Sequence, residues 1–472
     1  MNSSANPPPT WDELLFGRYA AVAWTLCLGT AMHATAWYIL ATALPSTVAD
    51  VGGAALVSWV VSIYLVASIV TGSASGLLKS RYGSRPVVVV AATVFLIGTV
   101  VAATATSMAM VVAGRALQGF GEGVIWAVTT ILVKDLLPNE AVPPMYAILG
   151  VVWAAAAVIG PLASGILVEV WSWRGALWSL QPIAVVYIAL VQFVVPPVAP
   201  SRAELRFPLL RLLLIAAGVV ALSVGAAIAD PMPSALALAI AVALIAGTLI
   251  ADGGARTPLF PRDLMRRGAV APTGIWVLTL MFCAEAGVSV YVALLAQQLF
   301  GASPVVAGYI LAVVAFAWTS GALAVARARR SVVDILILAG PILLVAGLVG
   351  TAVAFAAHAL ILLIVALVVV GLAFGFAYTF VAQRVLAHAR PEESDVTAGA
   401  LPTLEATGAA FGAALAGLVG NLTGIAALGD PDALRSGAVW VMALGAAIAT
   451  PAVLGAFVLV RRSAPVPAPV SG

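Results

Sequence analysis

The chain has 472 residues, of which 63% are hydrophobic and only 9% charged, with a formal net charge of +3. An ordinary soluble domain carries roughly 25% charged residues, so this composition excludes water as the main solvent and implies lipid. Backbone groups in hydrocarbon have no water to bond, which leaves an all-α, polytopic membrane fold built from spans of about 20 apolar residues. The basic residues recur singly at the ends of apolar runs and form no patch, so no nucleic-acid partner is expected. Cys27 and Cys283 fall inside apolar runs and read as packing residues, with no disulfide framework.

In chain order, residues 1–17 form a tail that lacks a basic segment and a small-residue cleavage site, so the first span is expected to stay in the mature protein. Apolar runs follow near 18–45, 55–77, 86–106, 109–133, 143–168 and 175–196, which make a first six-helix bundle over 18–196. A polar, proline-containing linker occupies 197–207. Two plain Ala/Leu/Val runs near 208–229 and 233–251 make a two-helix insert over 208–252, with no ionisable residue at membrane depth. An arginine-rich loop at 253–270 leads to runs near 271–297, 303–326, 331–354, 358–382, 396–424 and 436–460. These make a second six-helix bundle over 271–460, ahead of a tail at 461–472.

Loop charge orients this arrangement, because short cytoplasmic loops hold the Lys and Arg. One set of alternate loops carries Lys79, Arg81, Arg85, Lys134, Arg202, Arg206, Arg256, Arg262, Arg266, Arg267, Arg327, Arg329, Arg330, Arg384 and Arg390. The other carries only Arg174 and Arg435. A miscounted span would invert every later loop, so the asymmetry supports an even number of spans and both tails cytoplasmic; a location in the plasma (inner) membrane is expected for such a multi-pass chain. Trp171, Trp173, Trp178 and Trp440 near span ends fit an interfacial aromatic belt.

Three local patterns stand out. Gly76-Leu77-Leu78-Lys79-Ser80-Arg81-Tyr82-Gly83-Ser84-Arg85 follows the second run and has a degenerate echo at 321–330. Arg115-Ala116-Leu117-Gln118-Gly119-Phe120-Gly121 lies in the fourth run, and Gly160-Pro161-Leu162-Ala163-Ser164-Gly165 in the fifth. In the first, Gly76 and Gly83 permit a tight turn and close helix approach, while Arg81 can meet helix C-terminal carbonyls as part of an inner gate. An ordinary loop cation is the competing reading. In the third, Gly160 and Pro161 remove side chains and one backbone donor, favouring close packing and a local bend.

These patterns resemble, in order and spacing, the loop between the second and third helices, the fourth-helix motif and the fifth-helix antiporter motif of the major facilitator superfamily. Ala43-Leu44-Pro45 closing the first run, and the two-helix insert before Pro258-Leu259-Phe260, are similar to that superfamily's fourteen-helix drug:proton antiporter branch. Ser80 stands where the loop pattern has Asp, and Ala36 where that branch's first-helix pattern has an acid. The resemblance implies two six-helix bundles with two helices inserted between them.

The fourth run holds the densest chemistry. At 100° per residue, Arg115, Gln118, Glu122 and Trp126 project within one narrow sector, a polar stripe at membrane depth. Arg115 and Glu122 lie two turns apart, about 10 Å, a gap that Gln118 or water can bridge. Glu285 and Glu405 are the other two carboxylates at membrane depth, and such groups are natural proton carriers. The proton-coupling candidates are therefore Glu122, Glu405, Glu285 and Arg115, against the alternative of a polar network that locks the bundle. His33, with Trp37 one turn later, either shuttles protons or packs as a hydrogen-bonded residue. Together with Tyr38, Gln118, Trp126 and Trp153 these two are candidate cavity walls, packing or lipid contact being the alternative.

Gly119-x-Gly121-x-Gly123 lacks the third glycine and preceding strand of a nucleotide loop and reads as helix packing. With three histidines, no phosphate loop and no nucleophile elbow, neither an enzyme nor a metal or other cofactor is expected. The family resemblance implies secondary active transport by alternating access, with protons as the coupling partner and small amphipathic or hydrophobic organic compounds exported by a functional monomer. Export of an endogenous lipid or metabolite, and a non-transporting membrane sensor, are the alternatives.

Overall fold

A computed structural model of the chain describes residues 10–197, 209–228, 231–255, 258–266, 268–326, 328–390, 393–425 and 430–463. Almost all of the expected linker at 197–207, most of the two tails, and Arg202, Arg206, Arg256, Arg267 and Arg327 lie outside the described residues. Among those described, all regular structure is helical. Twelve segments are long and apolar enough to cross a membrane, from 54–76 to 431–462. Of the other two expected spans, the first forms a 32-residue helix, α2 (Ala20–Val51), whose apolar character is diluted by Thr25, Thr30, His33 and Thr35. The seventh forms α9 (Leu209–Ala227), whose apolar stretch runs only from Leu210 to Gly225. Large apolar side chains such as Val170, Phe193, Ile250 and Ile361 stay exposed on helix surfaces, as lipid-facing residues do.

The chain divides into two compact units. The first comprises residues 1–52 and 67–207. It contains α1 (Trp11–Leu15), α2, the later part of α3 (Val57–Tyr82), α4 (Ser84–Ala103), α5 (Met108–Leu136), α6 (Val142–Val170), α7 (Trp173–Trp178) and α8 (Leu180–Val194). Within it α4 packs on α5 and α8, and α2 on α5, α6 and α8. Close approach depends on missing side chains: a Cβ on Gly114 would meet Ala102 of α4, and one on Gly123 would fall on the Ser68 carbonyl of α3. Gly83 ends α3 at φ +84°, a left-handed conformation that suits glycine, and opens α4.

The second unit comprises 53–66 and 208–472. It holds the start of α3, then α9, α10 (Pro231–Gly253), α11 (Val270–Phe300), α12 (Pro304–Val325), α13 (Arg330–Ala356), α14 (Leu360–Ala387), α15 (Ser394–Thr423) and α16 (Pro431–Arg462). Here α13 packs on α14 and α16, α12 on α14, and α11 on α15 and α16. The α9–α10 pair belongs to this unit, with α9 packed along α15. Arg211 of α9 pairs with the buried Asp252 at the end of α10. Asp252 in turn accepts backbone N–H bonds from Leu259 and Phe260, so one carboxylate ties both helices to the following segment.

Candidate functional site

The first unit gathers its polar side chains around Glu122. A serine cap begins α5, the Ser107 hydroxyl accepting from the Met110 amide, and the helix then runs unbroken past Glu122. Glu122 is fully buried. The Ser68 hydroxyl of α3 donates to Glu122 Oε2 at 2.9 Å, and His33 Nδ1 of α2 lies against Glu122 Oε1. The imidazole is held by rings: Trp126 stacks on it at 5.0 Å and 30°, and Trp153 of α6 meets it edge-on at 5.1 Å and 72°. His33, Glu122, Trp126 and Trp153 thus form one cluster drawn from α2, α5 and α6.

Arg115 and Gln118 of the same stripe turn elsewhere. Arg115 is buried and donates to Gln118 Oε1 at 2.8 Å, while Gln118 Nε2 donates to Thr99 Oγ1 of α4 at 2.8 Å. The Gln118 amide expected to link Arg115 toward Glu122 instead ties Arg115 to α4. The stripe divides, Gln118 reaching α4 while Glu122 and Trp126 face α2, α3 and α6.

The remaining first-unit candidates sit at helix contacts and ends. Tyr38 is buried against α6, where a Cβ on Gly160 would lie 2.7 Å from the Tyr38 Cβ. α6 continues through Pro161, and the Ser164 hydroxyl donates to the Ile39 carbonyl of α2 at 2.9 Å. The Gly160–Gly165 segment therefore joins α6 to α2. Trp37 lies half-buried one turn beyond His33 and outside the ring cluster. In the loop pattern, Gly76 faces open space and Arg81 is exposed over the Tyr82 ring at 5.6 Å. The loop residue that makes a helix-to-helix ion pair is Lys79, with Asp135 near the end of α5.

In the second unit Glu405 projects from α15 toward α14, where the Tyr378 hydroxyl donates to its Oε2 at 3.3 Å. Its Oε1 is buried with no hydrogen-bond partner among the described residues. Gly408 and Gly412 carry α15 against α11, since a Cβ on either would run into the carbonyl of Thr279 or Cys283. Tyr378 belongs to an aromatic wall with Phe282, Trp318 and Phe374. Trp318 stacks on Phe374 at 4.8 Å, Phe282 meets Phe374 at 5.1 Å, and Tyr378 meets Trp318 at 5.6 Å. Glu285, on the same helix as Phe282, accepts from its own neighbour Ser289 at 2.7 Å. That partner is local, whereas those of Glu122 and Glu405 come from other helices.

Sequence reasoning missed Ser68, the Lys79–Asp135 pair and the whole aromatic wall. Ser68 is one of several small polar residues in α3 and nothing in its spacing sets it apart. Phe374 and Tyr378 stand four apart on α14, a helical face visible from sequence, whereas Phe282 and Trp318 join them only through tertiary packing.

Membrane-length helices enclosing buried, hydrogen-bonded carboxylates define a polytopic membrane protein with ionisable groups in its interior. The family model of the Major Facilitator Superfamily matches residues 26–413, and the chain belongs to that superfamily. It is 30% identical over 439 residues to a probable multidrug-efflux transporter of Mycobacterium tuberculosis, covering 89% of this chain and 92% of that one. Part of it, 41%, is 33% identical to an efflux pump of a Fusarium species, over 35% of that protein. The fold resembles a crystallised peptide transporter in complex with sulfate, at TM-score 0.70 and 15% identity, covering 96% of this chain and 97% of that one. A D-xylose–proton symporter aligns at TM-score 0.64 and 15% identity, over 93% and 97% of the two chains.

Proposed function

We propose that the chain exports small amphipathic or hydrophobic organic compounds by proton-coupled alternating access, with the proton carried by the Glu122–His33 pair. Near full-length similarity to a probable multidrug-efflux transporter supports the export half of this reading. The observation that carries the coupling half is a fully buried carboxylate shared between a hydroxyl and an imidazole from two other helices. Such a group can bind a proton in one state and yield it in another when helix movement changes either partner. Each proton crossing 100 mV is worth about 2.3 kcal/mol, enough to drive useful accumulation against a gradient.

The second unit supports the ligand side of the exchange. Glu405 offers a buried oxygen without a partner beside an aromatic wall, a surface suited to an apolar body bearing a polar or cationic group. The loop cations assigned to one set of loops favour cytoplasmic tails and an inner-membrane location. The test is counterflow in proteoliposomes. A fluorescent amphipathic compound is driven by an imposed pH gradient while proton movement is recorded. Compound movement indifferent to the gradient, in wild type as in Glu122→Gln, would remove the coupling assignment.

A further inference from the structure

The second unit carries a groove that neither the coupling cluster nor the aromatic wall uses. Between α11, α16 and residues 264–266 and 268 lies a cavity of about 270 Å³, walled by Leu264, Met265, Trp276, Val277, Leu280 and Pro451. It adjoins a second recess of about 530 Å³ lined by Arg266, Ala269, Val270 and Arg462, the two sharing Arg266 and Gly268. One end is apolar and the other basic.

The neighbouring arginines show what is unusual here. Arg262 pairs with Glu393 and Arg390 with Asp263, so two cations of this region are neutralised by carboxylates. Arg266 and Arg462 pair with no carboxylate among the described residues, and both are exposed. Arg462 is held by donating to the Gly268 carbonyl at 3.0 Å. Gly268 sits at φ +78°, and a Cβ there would collide with the guanidinium, so glycine both permits the turn and leaves space for the arginine. Below the arginines the apolar wall is fixed by Trp276, whose Nε1 donates to the Leu264 carbonyl at 3.1 Å.

We propose that this groove is a binding site for one anionic phospholipid, its phosphate between Arg266 and Arg462 and an acyl chain against Trp276, Val277 and Leu280. The occupant follows from charge and place. Two cations lacking an acidic partner call for an anion, the contiguous apolar wall calls for a chain attached to it, and the groove opens on a membrane protein's surface. The site is independent of Glu122 and of the transported compound.

The test uses the full chain in nanodiscs and native mass spectrometry, comparing retention of phosphatidylglycerol with phosphatidylcholine of the same chains. Wild type is expected to retain phosphatidylglycerol preferentially. R266Q/R462Q is expected to bind it about thirtyfold more weakly, at about fivefold per arginine near a charged surface, and R266K/R462K to keep most of it. Equal retention of both lipids by wild type, loss in both double variants, or displacement by glycerol 3-phosphate as effective as by a short-chain phosphatidylglycerol would each overturn the proposal.

Discussion

The two units treat their buried carboxylates differently. In the first, the Ser68 hydroxyl of α3 donates to one Glu122 oxygen and the His33 ring nitrogen of α2 lies against the other, with rings from α5 and α6 holding that imidazole in place. In the second, Glu405 has a single tyrosine partner on one oxygen and none on the other among the described residues. A buried carboxylate set against an imidazole has a group with which to exchange a proton, whereas one with a lone tyrosine partner is costly until something supplies the missing bond. In the proposed mechanism this difference separates a proton-holding role from a ligand-facing one, and the sequence already sets the two apart in one respect, since Glu122 shares a polar stripe with Arg115 and Gln118 whereas Glu405 is a lone acid in an apolar helix.

The largest expected effect breaks that comparison at its first member. Glu122→Gln keeps the volume and an acceptor for Ser68 but cannot carry a proton. Gradient-driven export should fall by at least about 100-fold, the lower range for loss of a positioned proton-transfer group. Protein abundance in the membrane should be unchanged. Export at the wild-type rate would move the coupling role away from this cluster. Glu405→Gln should act on the other axis, raising the half-saturating concentration of cationic compounds about tenfold, as loss of one hydrogen bond to a charged group does. Proton movement per molecule exported should hold. A change in that ratio would show that Glu405 also carries protons.

How far the sequence reached follows the same division. Helix content and membrane character were legible because they rest on composition and run length, which one chain displays directly. The stripe Arg115, Gln118, Glu122 and Trp126 was visible because helical periodicity alone places it. Its splitting was not: Gln118 finds Thr99 of α4 and Glu122 finds Ser68 of α3, partners nineteen and fifty-four residues away in the chain. The packing of Tyr38 against Gly160 was likewise not legible, because it depends on a missing side chain on another helix, α6. Partners across helices depend on register and crossing angle, which no single helix encodes.

A smaller effect sharpens the account of how Ser68 reaches Glu122. Gly123, next to Glu122, lies where α5 touches α3 through the Ser68 backbone. Gly123→Ala should push the helices apart at a cost of about 1–3 kcal/mol, the range for overpacking a close contact. The serine should be drawn off the carboxylate in the process. A lowered melting temperature together with reduced coupling is expected, while Ser68→Ala should reduce coupling with little change in melting. Equal behaviour of the two variants would mean that α3 contributes packing only.

The smallest effect lies at the other end of α2, past its expected span, where Asp50 ties that helix to α7. Arg174 donates to Asp50 at 2.6 Å and Trp173 Nε1 donates to the same oxygen at 3.0 Å. The Arg174 bond, followed by that from Trp173, holds the Asp50 carboxyl below its ordinary value. Because the folded state favours the ionised form, the contribution is fully present above the unfolded aspartate's pKa and is lost as pH falls through the lowered folded value. Both partners are solvent-screened, so the effect should be slight. Thermal melts of the purified protein at pH 7 and near pH 3 should therefore differ by a small component that Asp50→Asn removes, leaving the rest of the acid response intact. Were the Asn variant to show the same acid-dependent loss as wild type in full, the α2–α7 tie would have to rest on packing of Trp173, which is itself buried, and not on the charge it bonds.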